Sequence, residues 1–295
     1  MMQKYLFLLL LIVPALFAKV QVAVSYPYIA ALTKAVGGDN VEVATLAKGN
    51  WDPHFVVPRP SLIRQVAQAD LLIINGAQLE IGWMPPLIAK SNNARIQPGT
   101  KGFLDLSHFV TLINKPSSVS RSGGDIHPDG NPHFSTDPFI MPSLADAIAA
   151  QLTRIDPEHA AAYQNNAEAF TQQWKQKLAV WEKEMAPLKG KKVVQYHELY
   201  NYFLKRFGLV SIGNIEPLPG INPSSRHTME LIDQMKAQNV TLILQDVYHN
   251  PKTAAFIAEK TGAHVVTLPH DVDAVHEADT LENLYNTMVE RVTQP

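Results

Sequence analysis

Cysteine is absent from all 295 residues of the chain. The protein can therefore form no disulfide bond and offers no thiolate to a metal ion, and we expect no lipid anchor on a processed N-terminal cysteine. Charge of one sign is also not in excess, because 25 basic residues face 27 acidic ones and the formal net charge is −2. The basic residues are spread along the chain, so neither nucleic acid nor an anionic membrane is an expected partner.

Long apolar runs are also lacking, except at the N-terminus. Residues 1–18 read MMQKYLFLLLLIVPALFA, in which Lys4 precedes an apolar run and the small residue Ala18 ends the segment. This pattern is typical of a cleavable secretory signal peptide, and the run is too short to span a bilayer. We expect cleavage near Ala18 and export of a soluble protein to the periplasm; a retained N-terminal anchor helix is the alternative.

The rest of the chain alternates short β-rich runs with amphipathic segments, which is typical of an α/β fold with parallel sheets. The runs VQVAVS, VEVATL and LLIIN predict strands at residues 20–25, 41–46 and 71–75. The last run is wholly apolar, as expected for a strand that is buried on both faces. Pro58–Gln68 predicts a helix. Residues 19–155 are therefore predicted to form a first α/β lobe.

A loop and a long helix follow this lobe. NKPSSVSRSGGDIHPDGNP is rich in Pro, Gly, Ser and Asn, which predicts a mobile surface loop within residues 113–132. Pro142–Arg154 predicts one helix, and Asp156 is the predicted N-cap of a second that runs from Pro157 to Met185. At 1.5 Å per residue, this second helix would be about 43 Å long. Residues 156–188 are therefore predicted to link two lobes as one rigid helix.

The strand and helix alternation resumes after the long helix. KVVQY, LVSIGNI, TLILQ and HVVTL predict strands, with helix-like segments between them, and Ser224 and Ser225 can cap one of these helices. Residues 189–295 are therefore predicted to form a second α/β lobe. The predicted fold class is α/β, with two lobes that each contain a mostly parallel sheet flanked by helices, joined by one long rigid helix.

The chain has eleven histidines, so imidazole and carboxylate are its available strong metal ligands. In open α/β sheets, ligands gather at the loops beyond the carboxyl ends of the strands. His54 lies in the loop after VEVATL, His197 directly follows KVVQY, and Asp279 lies after HVVTL. His133 closes the predicted loop. A cleft between the lobes would bring these residues together, but spacing alone leaves metal binding open, since neither an HExxH nor a paired CxxC motif is present.

Three motifs carry a resemblance to a known family. DPHFVVPRPS, NPHFSTDP and HELYNYFLKRFGL resemble, in order and spacing, the motifs of the solute-binding proteins of zinc and manganese ABC importers. EPLPGINPSSRHTMELI is similar to the segment before the penultimate helices of that family. The similarity runs from about Val20 to the C-terminus and includes the long helix between the lobes.

This resemblance implies a ligand set. The metal ligands of the family fall on His54 in DPHF, His133 in NPHF and His197 in HELY, and ADT resembles the C-terminal acidic motif, which places a fourth ligand at Asp279. Asp279 can also be read as a helix N-cap. The manganese branch typically carries Glu at the third position, so His197 indicates the zinc branch, in agreement with the preference of zinc for imidazole. Many zinc-type relatives have a longer, His-rich loop before the second motif, and His127 is a candidate for an accessory role here.

The resemblance also implies the biological role. We expect a protein that captures Zn²⁺ in the periplasm with high affinity and delivers it to an ABC transporter permease in the inner membrane, as a monomer and not as an enzyme. A periplasmic zinc metallochaperone is a possible second partner. Two alternatives stay open: a manganese-binding protein of the same family, and a zinc hydrolase with Glu198 as the base, which would need a water instead of Asp279 as the fourth ligand.

Overall fold

The computed structural model describes residues 19–116 and 127–295. The predicted signal peptide and part of the predicted surface loop lie outside these residues. The first sheet has four parallel strands in the order β2-β1-β3-β4. Its strands are short and apolar on at least one face: β1 (Val20–Val24), β2 (Val41–Thr45), β3 (Leu71–Ile74) and β4 (Phe103–Asp105).

The second sheet repeats this arrangement. Its four parallel strands have the order β6-β5-β7-β8, and the two central strands are almost wholly buried, which explains their unbroken apolar runs. The strands are β5 (Lys192–Gln195), β6 (Val210–Asn214), β7 (Leu242–Gln245) and β8 (His264–Thr267). The prediction of two mostly parallel sheets is confirmed, and the described residues form them with parallel pairing throughout.

Helices connect and cover the strands. Those of the N-terminal part are α1 (Pro27–Gly37), α2 (Pro60–Gln68), α3 (Met84–Ser91), α4 (Met141–Ile155) and α5 (Ala160–Met185). Those of the C-terminal part are α6 (Asn201–Phe207), α7 (Ser225–Ala237), α8 (Lys252–Thr261) and α9 (Leu281–Thr293). No helix in the described part of the chain is both long enough and apolar enough to cross a membrane.

The long helix α5 has 26 residues and is about 39 Å long at 1.5 Å per residue. It packs against α1 and α4 of the first lobe and against α9 near the C-terminus. Trp174 and Trp181 on α5 enclose Tyr285 of α9, with ring centroids 5.7 and 5.4 Å from it. This aromatic packing ties the long helix to both parts of the molecule, as expected for a rigid link; the predicted domain boundaries themselves stay a prediction.

The beginning of the long helix differs from the prediction. Asp156 does not cap it, because a 3-10 turn (Pro157–His159) precedes α5 and the Asp156 side chain makes no capping hydrogen bond. Its carboxylate instead accepts a 2.6 Å hydrogen bond from the Tyr163 hydroxyl and lies 2.7 Å from His159 Nδ1. The cap predicted at Ser224 is confirmed, since its Oγ accepts the backbone N–H of His227.

The loops beyond the carboxyl ends of the two sheets meet each other. The Asp271 carboxylate, after β8, accepts the backbone N–H of Tyr28 at the start of α1 at 2.7 Å. His270 Nε2 lies 3.1 Å from the carbonyl oxygen of Trp51 in the loop after β2. A Cβ atom on Gly49 would lie 1.8 Å from the carbonyl oxygen of Val272, so glycine is needed for this close approach. The cleft predicted between the sheets is therefore narrow and bridged by hydrogen bonds.

Candidate metal centre

His54 lies in the loop that follows β2. The Asp52 carboxylate holds both the backbone and the ring of His54. It accepts the backbone N–H of His54 and lies 2.9 Å from its Nδ1. Burial acts to raise the pKa of Asp52, but the hydrogen bond and the charge of His54 outweigh it and the pKa is lowered. Because an ionised carboxylate only accepts, Nδ1 donates and the lone pair of His54 is on Nε2. This is how a carboxylate fixes the orientation and tautomer of a metal-binding histidine.

His133 is held at the end of the segment that the sequence predicted as a surface loop. That end is buried, and His133 is 3% exposed. The Asn131 side chain accepts the backbone N–H of His133 and donates to the carbonyl oxygen of Glu198. Asn75, directly after β3, donates to the carbonyl oxygen of Pro132 at 3.0 Å. The prediction of an exposed loop is thus wrong for its last residues, which are buried and held by the side chains of Asn75 and Asn131.

Burial lowers the pKa of His133 well below its usual value, and neighbouring His197 and His54 lower it further. His133 is therefore neutral near pH 7, as a metal-binding imidazole must be. Glu80 supports the same corner of the site from behind, since its carboxylate accepts the backbone N–H of Asn75 at 2.7 Å and of Gly76 at 3.1 Å. Burial raises the pKa of Glu80 to about 7.

His197 follows β5 at the carboxyl edge of the second sheet. Its Nδ1 lies 2.7 Å from Glu216 Oε2, and both side chains are nearly inaccessible, at 4% and 6% exposure. Glu216 comes from the segment after β6, the strand beside β5. The sheet register therefore sets a carboxylate against the ring of His197, which directs its Nε2 into the cleft.

The three histidines converge. Their ligating nitrogens all lie within 4.8 Å of one another, and they are the one such group of at least three metal-ligating side chains among residues 19–116 and 127–295. The Nε2 atoms of His133 and His197 are 3.1 Å apart. A tetrahedral zinc ion with Zn–N distances of 2.0–2.1 Å would hold two nitrogens about 3.3 Å apart. The donor set and its spacing therefore fit a zinc ion.

Asp279, the fourth predicted ligand, lies outside this group. It is exposed, and its Oδ1 accepts a 2.8 Å hydrogen bond from the side-chain amide of Asn283. It faces a separate groove that is also lined by α1 and α5. Asp279 is also not the N-cap of α9, the alternative that the sequence allowed. The N-cap is the next residue, Thr280, whose side chain accepts the backbone N–H of Asn283.

His127 approaches the group from the other side. Its Nε2 lies 3.3 Å from His54 Nε2, and the two rings stack with their centroids 5.4 Å apart. Burial lowers the pKa of His127 to about 3, with smaller contributions from His54 and His197. It also lies edge-on to His133, with ring centroids 6.2 Å apart, but it does not belong to the group whose ligating atoms all lie within 4.8 Å of one another. Its acidic neighbour Asp125 lies outside the described residues, and Asp129 is exposed and accepts a hydrogen bond from Gln78.

Sequence reasoning missed Glu216. It lies in the segment EPLPGINPSS, which carries part of the family resemblance. Its contact with His197 depends on the pairing of β5 with β6, which no local sequence pattern shows. His249 is not part of the three motifs, yet its ring lies 6.2 Å from that of His197. No sequence signal marks Glu216, because its position beside His197 depends on which strands pair.

Comparisons with known proteins identify the family of this chain. A family model described as "ZnuA: Zinc-uptake complex component A periplasmic" matches residues 22–294. The high-affinity zinc uptake system protein ZnuA of Brucella abortus (strain 2308) is 31% identical over 136 residues, which cover 46% of this chain and 41% of that protein. The manganese ABC transporter substrate-binding lipoprotein PsaA of Streptococcus pneumoniae is 27% identical over 202 residues, covering 65% of this chain and 61% of that protein.

Each match spans less than two thirds of the length of these curated relatives. The structural match is more extensive. The crystal structure of a ZnuA deletion mutant with zinc bound has a TM-score of 0.78 and 25% sequence identity, and the alignment covers 93% of this chain and 97% of that one. The likeness of the two structures therefore extends over both sheets and the long helix.

Proposed function

The chain belongs to the ZnuA family of periplasmic zinc-uptake components, and on that premise we propose that it captures Zn²⁺ in the periplasm and delivers it to an ABC-type permease. The observation that carries this proposal is the convergence of His54, His133 and His197 within 4.8 Å. Three imidazoles, two of them oriented by carboxylates, support binding of a metal ion at this point. The family consists of transport proteins, which agrees with a carrier and not an enzyme.

Zinc is the proposed cargo because the three converging donors are nitrogens. Imidazole suits zinc, while manganese prefers more oxygen ligands. Manganese is the second candidate, since a relative of similar identity is named as a manganese-binding protein. In this proposal Asp279 is not a ligand in the described conformation, since it would have to leave Asn283 and cross to the cleft. The fourth position is then open to a water molecule or to His127.

The partners follow from the same proposal. A permease of the inner membrane would receive the ion, and a periplasmic metallochaperone would be its donor. The carrier is proposed to act as a monomer, because its three converging ligands all come from one chain. Residues 1–18 would direct export and be removed near Ala18.

A metal titration tests this proposal. Residues 19–295, stripped of metal, would be titrated with Zn²⁺ and Mn²⁺ by calorimetry in competition with a chelator of known affinity. We expect one tight zinc equivalent, much weaker manganese binding, and loss of the tight equivalent in His197→Ala. His108→Ala is the matched control, because the His108 side chain is 77% exposed. Manganese binding that equals or exceeds zinc binding would refute the zinc assignment.

A further inference from the structure

A small cavity of about 20 Å³ adjoins two of the three converging histidines, His54 and His197. Such a space can hold one ion or one water molecule, since a water needs roughly 10–15 Å³. Its lining runs from a buried side to a more exposed side. The side chain of His197 is 4% exposed, whereas those of Asp52 and His249 are 26% and 21% exposed. The polar side chains that line it are Asp52, His54, His197, Glu216, Tyr248 and His249.

His249 is oriented like a metal ligand although it is not one of the three converging histidines. Its Nδ1 lies 2.8 Å from Asp246 Oδ2, and the other Asp246 oxygen accepts the backbone N–H groups of Tyr248 and His249. The His249 ring also stacks on Tyr196, with centroids 4.3 Å apart. Because the buried carboxylate accepts from Nδ1, the lone pair of neutral His249 is on Nε2, the arrangement that orients histidines towards metals.

Glu216 faces the same point with its second oxygen. While Oε2 accepts from His197, Oε1 lies 3.7 Å from His249 Nε2, which is too long for a hydrogen bond. One zinc ion bound to a nitrogen and an oxygen at 2.0–2.2 Å would hold them about 3.4 Å apart. The Tyr248 hydroxyl, which lines this cavity, is buried and has no hydrogen-bond partner among the described residues. Two donor atoms that face each other and one unsatisfied hydroxyl thus border a space of ionic size.

We propose that His249 Nε2 and Glu216 Oε1 form an outer zinc position, which the ion occupies before it reaches His54, His133 and His197. This inference rests on the proposed function. Carboxylates line the outer position, and neutral imidazoles form the inner one, so the outer position attracts a hydrated cation first. In the outer position, water molecules would complete the coordination shell of the ion. On transfer, the ion would leave His249 Nε2 and Glu216 Oε1 and bind the imidazole nitrogens of the inner position.

Rate measurements test this proposal, because zinc would pass through the outer position both when it binds and when it dissociates. Zinc transfer from a fluorescent chelator would be followed by stopped flow for the unmodified protein, for His249→Ala and for the exposed control His108→Ala. We expect His249→Ala to lower the association and dissociation rates at least fivefold, so that Kd changes less than either rate. Unchanged rates overturn the proposal.

A second measurement removes the inner site. In His133→Ala, equilibrium dialysis is expected to show one weak zinc equivalent, and His133→Ala/His249→Ala is expected to show none. An absent residual equivalent in the single variant, or one that survives in the double variant, also overturns the outer position. These results differ from failure of the proposed function, in which the unmodified protein binds no zinc tightly.

Discussion

Glu216 offers the sharpest test of how the protein supports its ligands. The replacement Glu216→Gln keeps an acceptor oxygen opposite His197 Nδ1 but removes the charge from a 2.7 Å hydrogen bond between two buried side chains. Hydrogen bonds to charged groups contribute about 1.5–3 kcal/mol, and neutral ones about 0.5–1.5 kcal/mol. The difference, roughly 1–1.5 kcal/mol, corresponds to about a tenfold loss of zinc affinity.

Glu216→Ala removes the acceptor altogether and frees the ring of His197 to rotate. The expected loss is then up to about 100-fold, the range seen when the partner of a metal-bound histidine is removed. Zinc affinity would be measured by competition with a chelator at pH 7.5, and thermal melts of the metal-free variants would show that they fold. Glu230→Gln is the matched control, because Glu230 is exposed and pairs with Arg226 on the surface of α7.

Glu216→Ala is expected to lose more zinc affinity than Glu216→Gln. If Glu216→Ala bound zinc within twofold of the unmodified protein, the carboxylate would not orient His197. If Glu216→Gln lost as much affinity as Glu216→Ala, the charge of Glu216 would determine its contribution, and the acceptor that Gln retains would add nothing.

Three further predictions follow from other parts of the site. Asp279→Asn should leave zinc affinity within twofold by the same competition assay, and a loss of tenfold or more would restore Asp279 as a ligand. His127→Ala should weaken zinc binding several-fold, because a nitrogen 3.3 Å from His54 Nε2 would be lost; an unchanged affinity would reject its accessory role. Glu80, whose pKa rises from 4.5 to about 7 on burial, stays protonated in the folded protein while the unfolded chain ionises, so stability falls as pH rises through this window. Relative to Glu80→Gln, the free energy of unfolding should fall by roughly 2–3 kcal/mol between pH 5 and pH 8 in urea titrations; a constant difference would contradict the raised pKa.

Much of the fold was predictable because its signals are local. Apolar runs such as LLIIN and TLILQ became central parallel strands, and Ser224 capped the helix that it was predicted to cap. The motifs DPHF, NPHF and HELY identified the three histidines that converge. Their resemblance to the motifs of the family supplied this identification, since residue spacing alone left metal binding open.

The failures depend on details that appear only in the folded backbone. Asp279 adopts helical angles (φ −73°, ψ −13°), whereas Thr280 is extended (φ −131°, ψ 164°) and can therefore turn its side chain back to cap α9. Asp156 binds Tyr163 and His159 and does not cap α5. Glu216 could not be assigned from sequence, because its distance from His197 is set by sheet pairing.

The packing of α9 on α1 and α5 also has a consequence for how the chain folds. The hydrogen bond from Tyr28 to Asp271 joins residues 243 positions apart, and the aromatic surface of α5 is completed by Tyr285. The first sheet can pair its strands early, but its outer helical layer stays incomplete until residues near the C-terminus arrive. Such non-local contacts slow folding, because a long loop must close before they form. The packing of α9 on α5 therefore makes the two halves of the protein depend on each other during folding.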